Sequence, residues 1–246
     1  MNPVAFKIFG IEIMWYGVFI SLGVLLGILI ALKECRRTGF KEDNLLDFLL
    51  IAIPVAIIGA RAYYVIFSWD FYSQNPSEII NIRHGGLAIH GALIAGVIAG
   101  ILFCKKRKIK VLELLDIVMP SVALGQAIGR WGNYVNQEAY GGPTNLPWGI
   151  MVNGQKVHPT FLYESIMNIV IFIFLIWFRK NKKTTHGQVF ALYMILYSAV
   201  RFLVEGLRTD SLMFMGMRVA QLISILSIIA GIGLWMYLKK KSVNKQ

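Results

Sequence analysis

The residues best suited to chemistry lie in one polar, glycine-rich stretch of the sequence, residues 129–142. Its four glycines, among them Gly141, allow the backbone to approach a ligand closely. Arg130 offers a planar guanidinium that can bind a phosphate or a carboxylate through two parallel hydrogen bonds. Further directional hydrogen-bonding groups come from Asn133, Asn136 and Glu138. The stretch therefore predicts a site for an anionic or strongly polar ligand.

Most of the remaining chain is apolar. The 246 residues are 57% hydrophobic and have a mean hydropathy of +0.61, which is typical of an integral membrane protein rather than of a soluble domain. We expect residues 1–246 to form a single membrane domain. Because a polar group without a partner is costly in a bilayer, the polar stretch needs a functional reason.

Seven apolar runs have about the length that a bilayer-spanning helix requires, roughly 20 residues. They cover residues 14–32, 46–67, 86–104, 111–128, 160–178, 188–204 and 217–238. The predicted fold class is an all-α integral membrane protein with seven transmembrane helices. Residues 1–12 are mixed and predict a short amphipathic lead-in. Residues 129–159 are too rich in glycine and proline to continue a helix, and they predict a loop or small extracytoplasmic head.

The basic residues predict the orientation. The formal net charge of +12 could indicate nucleic-acid binding, but most of the 25 basic residues form short clusters at residues 33–41, 105–110, 179–183 and 239–245. These clusters follow alternate spans and so lie on one side of the membrane, which the positive-inside rule identifies as cytoplasmic. We therefore predict an N-terminus outside, a C-terminus in the cytoplasm and no nucleic-acid partner.

The other basic residues fall near the predicted outer face, and most of them are arginines. They are Lys7, Arg61, Arg83, Arg130, Lys156, Arg201, Arg208 and Arg218. Topology signals do not require arginine specifically, whereas bidentate phosphate recognition does. The bias therefore indicates phosphate binding, although for Arg83 and Arg218 taken singly we favour anchoring of helix ends at lipid headgroups.

The sixth span carries a polar stripe, because its polar residues recur at every fourth position and so share one helix face. The stripe consists of Tyr193, Tyr197, Arg201 and Glu205, with Arg208 one turn later. Arg201 and Glu205 are spaced for an ion pair in which the glutamate leaves the other side of the guanidinium free for a phosphate. Tyr16, at the outer start of the first span, can turn its hydroxyl toward the interior of the bundle.

His90 is the only histidine predicted inside a span, about five residues from its outer end. A lone histidine in a helix is more often a structural group, but glycines on either side of His90 admit close packing or a lipid and favour a function. No pair among the four histidines has the spacing of metal ligands, so we predict no metal and no cofactor. Cys35 and Cys104 end apolar spans without an adjacent histidine, and we expect them to be spectators.

The sequence closely resembles the prolipoprotein diacylglyceryl transferase family over essentially its whole length. Residues 129–138 fit the family signature, in which glycine, arginine, glycine, asparagine, an aromatic residue, a second asparagine and glutamate recur at this spacing. Other matching segments are Trp15-Tyr16-Gly17, Gly59-Ala60-Arg61, His90-Gly91, His158-Pro159, Tyr163-Glu164 and residues 201–205, followed by Arg208 and Asp210. Ala92 stands where the family often has glycine, and Gly206 where it often has an aromatic residue. Both changes could alter lipid fit without removing a reactive group.

The resemblance implies a seven-helix bundle with an outer head, open sideways to the bilayer. The implied reaction moves the diacylglyceryl unit of phosphatidylglycerol to the thiol of the lipobox cysteine in a prolipoprotein signal peptide and releases glycerol phosphate. This is the first step of bacterial lipoprotein maturation. The implied location is the bacterial cell membrane, with the active site toward the outer leaflet.

The resemblance also implies roles for individual residues. Arg130 and Arg201 would stabilise the phosphate, and His90 would accept the thiol proton or, alternatively, hold the phosphate or a lipid carbonyl. The implied substrate-binding residues are Tyr16, Arg61, Asn133, Asn136, Glu138, Gly141, Tyr197, Glu205 and Arg208.

Two other classes of protein have seven helices and a polar interior. A transporter or channel usually carries internal repeats and helices broken at mid-membrane; neither is evident, and the polar residues cluster at the outer mouth rather than along a path across. A receptor or structural lipid-binding protein leaves Arg130, Arg201 and His90 without a shared task. The sequence therefore favours a diacylglyceryl transferase.

Overall fold

The computed structural model describes residues 2–82, 85–209, 211–214 and 216–243, with the backbone alone at residues 11 and 243. Arg83, one of the predicted outer arginines, lies outside the described residues. Within them, seven helices are long and apolar enough to cross a membrane. This confirms the predicted all-α membrane class and the predicted number of spans.

The elements follow one another with short connections. In chain order the helices are α1 (Trp15–Thr38), α2 (Glu42–Phe67), α3 (Trp69–Gln74), α4 (Ile89–Arg107), α5 (Val111–Asn136), α6 (Thr160–Asn181), α7 (Gln188–Glu205) and α8 (Val219–Val243). A 3-10 turn at Pro76–Ile80 follows the short α3. Three antiparallel strand pairs complete the described fold: β1 (Val4–Ile8) with β2 (Ile11–Met14), β3 (Ile150–Val152) with β4 (Gln155–Val157), and β5 (Met213–Phe214) with β6 (Met217–Arg218).

The N-terminal lead-in folds as the β1–β2 hairpin. Its turn residues Phe9 and Gly10 both have positive φ angles, 48° and 81°, as two-residue turns of this hand require. In the segment predicted to form the head, β3 and β4 are joined by Asn153 and Gly154, with φ angles of 49° and 80°. Asn-Gly is the sequence most typical of such a turn, so the local sequence encodes this hairpin.

The chain divides into two compact units, residues 1–33 with 115–246, and residues 34–114. The first unit has a buried core that α5, α6 and α7 share. Its buried members are Ala123, Ile171, Leu175, Phe178 and Val189, with Tyr193, Tyr197 and Trp235 among the side chains packed around them. This core fixes the three helices that carry most of the predicted site.

At the end of the first unit that is predicted to be cytoplasmic, Asp116 of α5 caps the start of α7. Its carboxylate accepts hydrogen bonds from the backbone N–H groups of Gly187 (2.7 Å) and Phe190 (3.0 Å) and pairs with Lys183 (2.9 Å). A carboxylate that satisfies orphan N–H groups at a helix start stabilises that start. Arg201 lies toward the other end of α7, so this cap helps to fix the position of Arg201 along the helix axis.

In the second unit, α2 packs closely against α4 through glycines. A Cβ atom on Gly91 would collide with the carbonyl of Gly59 and with the side chain of Tyr63, and one on Gly59 would collide with Ala95. Small residues at a helix crossing allow two backbones to approach. The glycine beside His90 therefore has a packing reason as well as the functional one that the sequence suggests.

Helix α5 extends further than the sequence predicts. The expected helix end at Ile128 is wrong by about two turns. Helix α5 continues into the polar, glycine-rich stretch 129–142, called the polar motif below, and ends at Asn136. Gly129 and Gly132 each weaken a helix by about 1 kcal/mol relative to alanine. However, α1 packs against this part of α5, and a Cβ atom on Gly132 would collide with the ring of Tyr16. Packing between the two helices overrides the local propensity.

Candidate active site

The polar motif ends α5 with a Schellman cap that presents Glu138. The N–H of Glu138 donates to the carbonyl of Asn133 (3.0 Å), and the N–H of Gln137 donates to that of Tyr134 (3.2 Å), the pair of bonds that defines this cap. Gln137 and Ala139 have left-handed φ angles of 53° and 57°, which non-glycine residues adopt at some cost in energy. Glu138 is thus held between two strained residues, an arrangement common at functional sites.

The Glu138 carboxylate gathers the two asparagines of the motif. Its Oε1 atom accepts hydrogen bonds from Nδ2 of Asn133 (2.9 Å) and from Nδ2 of Asn136 (3.4 Å). These bonds fix the orientation of both amides, so the three predicted binding residues form one hydrogen-bonded group. Asn136 and Glu138 also line an open groove of about 410 Å³, together with Pro3, Met14, Val135 and Gln137.

Gly141 lies in a stretch of backbone that is bonded on both sides. Its N–H donates to the carbonyl of His158 (3.0 Å), and the N–H of Gly142 donates to the carbonyl of Leu207 (2.9 Å). Gly141 also forms an antiparallel bridge with Arg208. A Cβ atom on Gly141 would collide with His158 and Leu207. The motif loop therefore ties the segment before α6 to the segment after α7, and glycine is required at its centre.

A chain of ion pairs joins α5, α6 and α7. Glu164 of α6, whose side chain is 2% exposed, pairs through Oε2 with Nη2 of Arg130 and through Oε1 with Nη1 of Arg201 at 2.9 Å. Nη2 of Arg201 pairs with Oε2 of Glu205 at 2.7 Å, and Nε of Arg208 lies 4.0 Å from the same oxygen. The ion pair predicted from the spacing of Arg201 and Glu205 is confirmed.

Among the described residues, these ion pairs bring three arginines to two glutamates. The side chains of Arg130 and Arg201 are 19% and 21% exposed, whereas both glutamates are buried. Coulomb attraction strengthens as the local dielectric falls. An anion that reaches the exposed parts of the two guanidinium groups is therefore bound more strongly than it would be at a water-exposed surface.

The other two members of the polar stripe, Tyr193 and Tyr197, precede Arg201 in α7. The rings of Tyr193 and Tyr197 stack with their centroids 5.5 Å apart, and the Tyr193 hydroxyl donates to Oε1 of Gln126 on α5 (3.0 Å). The Tyr16 ring lies beside Gly132 of the motif. All predicted site residues except Arg61 and His90 thus lie in the first compact unit.

Replacing Gly132 by alanine tests the contact between the motif and Tyr16. The new Cβ atom would collide with the Tyr16 ring, so we expect α1 to shift and the free energy of unfolding to fall by about 1–3 kcal/mol. Thermal melting in detergent measures the change. Gly233→Ala in α8 is the matched control, because a Cβ atom there meets nothing within 4 Å. Equal melting temperatures for the two variants would show that the motif does not depend on this contact.

In the second unit, Arg61 holds the segment that leads into α4. All five of its N–H donors bond to backbone carbonyls. Nε donates to Ile79 (2.9 Å), Nη1 to Gly85 (2.8 Å) and Gly86 (2.9 Å), and Nη2 to Glu78 (2.5 Å) and Asn81 (3.0 Å). A phosphate could bind this guanidinium only by breaking one of these bonds. The geometry therefore favours a positioning role for Arg61 over the substrate contact that the sequence suggests.

His90 lies in the first turn of α4, which begins at Ile89, and not about five residues inside the helix as predicted. Its side chain is exposed, and its ring is tilted against that of Tyr63 with the centroids 6.0 Å apart. An exposed imidazole at a helix start is accessible to a second molecule, as proton transfer requires.

The sequence did not identify Glu164 as the centre of the ion-pair chain, because it marked this residue only within a matching segment. An acidic residue in an apolar span needs a counter-charge, and this rule could have paired Glu164 with the outer arginines. The sequence also missed the contact of Arg218, which donates through Nη1 to the carbonyl of Glu205. Arg218 thus caps the end of α7, and the lipid-headgroup contact expected for it stays a prediction.

Known proteins resemble this chain over nearly its whole length. The profile of the family described as "Prolipoprotein diacylglyceryl transferase" matches residues 3–237. A protein of Finegoldia magna named phosphatidylglycerol--prolipoprotein diacylglyceryl transferase is 57% identical over 243 residues, which are 99% of this chain and 98% of the relative. Proteins of the same name from Clostridioides difficile and Staphylococcus aureus are 57% and 46% identical, over 99% and 98% of this chain and 98% and 90% of the relatives.

Proposed function

Because the chain belongs to the prolipoprotein diacylglyceryl transferase family, we propose that it transfers the diacylglyceryl group of phosphatidylglycerol to the thiol of a lipobox cysteine in a prolipoprotein. The thiol sulfur bonds to the glycerol carbon while the bond from that carbon to the phosphate oxygen breaks, and glycerol phosphate leaves. This reaction is the first step of lipoprotein maturation. The chain is thus a multi-pass membrane transferase that acts on two substrates.

The observation that carries this proposal is the pair of arginines bridged by Glu164. The leaving group is a phosphate whose negative charge grows as the bond breaks, and it is stabilised best by donors that are already in place. Arg130 and Arg201 come from different helices and converge on one carboxylate. Paired N–H donors of this kind bind phosphate as well as carboxylate. We therefore assign both arginines a catalytic role.

We propose that the surrounding polar residues bind and orient the lipid. Glu205 orients Arg201, and Arg208 adds positive charge beside it. The group formed by Asn133, Asn136 and Glu138 offers directional hydrogen bonds to the glycerol of the headgroup. The remaining proposed substrate-binding residues are Tyr16, Gly141 and Tyr197. Arg61 has a positioning role in this scheme, because its donors already bond to backbone carbonyls.

We propose that His90 accepts the proton of the substrate thiol. A cysteine thiol with a pKa of about 8.5 is mostly protonated at neutral pH, and the thiolate is the nucleophile. An exposed imidazole can act as the general base for such a group. Cys35 and Cys104 are both buried, so the reacting thiol comes from the substrate and not from this chain.

His90→Gln keeps a hydrogen-bonding side chain but removes the base, and we expect the rate near neutral pH to fall by about 10²–10⁴-fold. The residual rate should rise with pH, because the solution then supplies more substrate thiolate. Initial rates measured from about pH 6.5 to 9, on either side of the thiol pKa, test this. A residual rate that does not change with pH would show that His90 positions a substrate and that the proton leaves by another route.

We propose that the protein lies in the bacterial cell membrane with its site toward the outer leaflet. The basic clusters between alternate spans support this orientation. A reporter fused to the C-terminus should then be cytoplasmic, and one inserted at Asn153, in the β3–β4 turn, should be extracytoplasmic. Labelling of both reporters on one side, or on the reversed sides, would contradict this topology.

Purified protein, phosphatidylglycerol and a synthetic peptide with one lipobox cysteine test the proposed function. Mass spectrometry should show that the peptide gains one diacylglyceryl unit only when all three are present. The control peptide has serine in place of cysteine and should remain unmodified, because a hydroxyl ionises far less readily than a thiol. An unmodified cysteine peptide in the presence of folded protein would contradict the function.

A further inference from the structure

One buried amide, one helical turn from Glu164, has no hydrogen-bond partner among the described residues. Asn168 of α6 is 0% exposed, and neither its Nδ2 nor its Oδ1 atom makes a hydrogen bond with any residue that the structure describes. Buried side-chain amides are almost always hydrogen-bonded, and an unbonded one is especially unfavourable inside a membrane protein. Folding alone therefore does not explain an asparagine at this position.

The position of Asn168 relates it to Glu164. The two residues are four apart in α6, so they lie on the same helix face, one turn from each other. Side chains in a helix lean toward its N-terminus, which directs the Asn168 amide toward the turn that carries Glu164. Both oxygens of Glu164 are engaged elsewhere, Oε2 by Arg130 and Oε1 by Arg201. An unused donor thus lies beside a carboxylate that already has its partners.

A phosphate that binds the arginine pair competes with this carboxylate. Glu164 uses N–H donors of both arginines, and a phosphate would use the same donors. When these donors turn to the phosphate, the buried carboxylate loses its counter-charges, which is strongly unfavourable unless new hydrogen bonds form. The Nδ2 atom of Asn168 carries two N–H donors that can form them.

We propose that Asn168 is a positioning residue that receives the Glu164 carboxylate when a lipid phosphate replaces it on Arg130 and Arg201. The inference rests on the proposed function only in taking a phospholipid as the source of the phosphate. Before the lipid binds, Glu164 neutralises the two arginines and holds them in place. After it binds, Asn168 holds Glu164 aside, and both arginines face the phosphate. The unpartnered amide is stabilising in the second state only.

Asn168→Leu tests this exchange, because leucine has the same branching and the same number of side-chain heavy atoms but no polar group. Without lipid, the melting temperature in detergent should stay the same or rise, since an unbonded buried amide is removed. Binding of phosphatidylglycerol to the protein in micelles, measured by calorimetry without any peptide, should weaken by about ten- to a hundredfold, the usual effect of losing a hydrogen bond to a charged group. Asn168→Gln, which keeps the amide, should bind lipid better than Asn168→Leu.

Two controls make the test specific. Asn181→Leu changes an exposed amide near the other end of α6, which donates to the carbonyl of Trp177, and it should leave lipid binding unchanged. The second control repeats the substitution in the Glu164→Gln protein, where the displaced side chain is neutral and does not need a hydrogen-bond donor to stabilise a charge. There, Asn168→Leu should change the dissociation constant for phosphatidylglycerol by less than about twofold.

The proposal is overturned if Asn168→Leu lowers the lipid-free melting temperature and leaves lipid binding intact, because the amide would then have a structural role. It is also overturned if the loss of binding is the same in the Glu164→Gln background. Since lipid binding is measured without a thiol substrate, a failure of transfer would contradict the proposed function and leave this exchange standing.

Discussion

Replacing either arginine of the bridged pair by lysine should remove most of the transfer activity. Arg130→Lys and Arg201→Lys keep the positive charge but lose the planar fork that pairs with a carboxylate or a phosphate. Loss of one preorganised donor to a developing anion commonly costs about 3–4 kcal/mol, which is two to three orders of magnitude in rate. The loss should be the same from about pH 6.5 to 9, because neither arginine nor lysine ordinarily titrates in that range. Initial rates with a thiol peptide measure it.

Arg36→Lys is the matched control for both variants. Arg36 forms an exposed ion pair with Glu42 at 2.9 Å, and such pairs contribute little, so the same chemical change there should leave the rate within about twofold. Melting temperatures taken before the assay separate loss of chemistry from loss of fold. If the Arg130→Lys and Arg201→Lys proteins transfer as fast as the Arg36→Lys protein, positive charge alone is enough to bind the phosphate. The proposed binding through two parallel hydrogen bonds from each arginine is then wrong.

Glu164→Gln should give the largest change in stability. The carboxylate pairs with Arg130 and Arg201 while it is 2% exposed, and without its charge the two guanidinium groups have too little counter-charge. Removing one partner of a buried ion pair costs about 3–5 kcal/mol, so the lipid-free melting temperature should fall well below that of the wild type. Phosphatidylglycerol should restore much of the loss, because its phosphate replaces the missing charge and a ligand stabilises the folded state it binds.

Diacylglycerol provides the control for this rescue, since it has the same acyl chains but no phosphate. We expect it to leave the melting temperature of the Glu164→Gln protein low. Equal rescue by both lipids would show that hydrophobic contact, and not charge, stabilises the site. A Glu164→Gln protein that melts like the wild type without any lipid would contradict the proposed charge balance.

The membrane class and the number of spans could be predicted from the sequence. The thickness of a bilayer sets the length of each apolar run, and the positive-inside rule sets which connections carry the basic residues. The end of α5 could not be predicted in the same way. The glycines of the motif lower the helix propensity locally, whereas the contact of Gly132 with the Tyr16 ring depends on another helix. Propensity is local and packing is not, so the helix continues to Asn136.

The same distinction applies to the site. The pair of Arg201 and Glu205 was predictable because one helix brings both residues together. That Glu164 needs a counter-charge among the outer arginines was also predictable, but its bridging of Arg130 and Arg201 was not, because this depends on how α6 is rotated against two other helices. Arg61 shows the complementary case: its residue type suggested phosphate binding, but backbone carbonyls take all its donors. Residue types indicate the available chemistry, and the fold decides which partner uses it.

The central claim, that a phosphate leaves as a thiol takes up the diacylglyceryl group, is tested most directly by following both halves of the lipid. Phosphatidylglycerol with radioactive carbon in its acyl chains and radioactive phosphorus in its phosphate is incubated with the protein and a lipobox cysteine peptide. We predict that the carbon label appears on the peptide and the phosphorus label in free glycerol phosphate, in equal amounts. Phosphorus label on the peptide, or acyl transfer without release of glycerol phosphate, would contradict the claim.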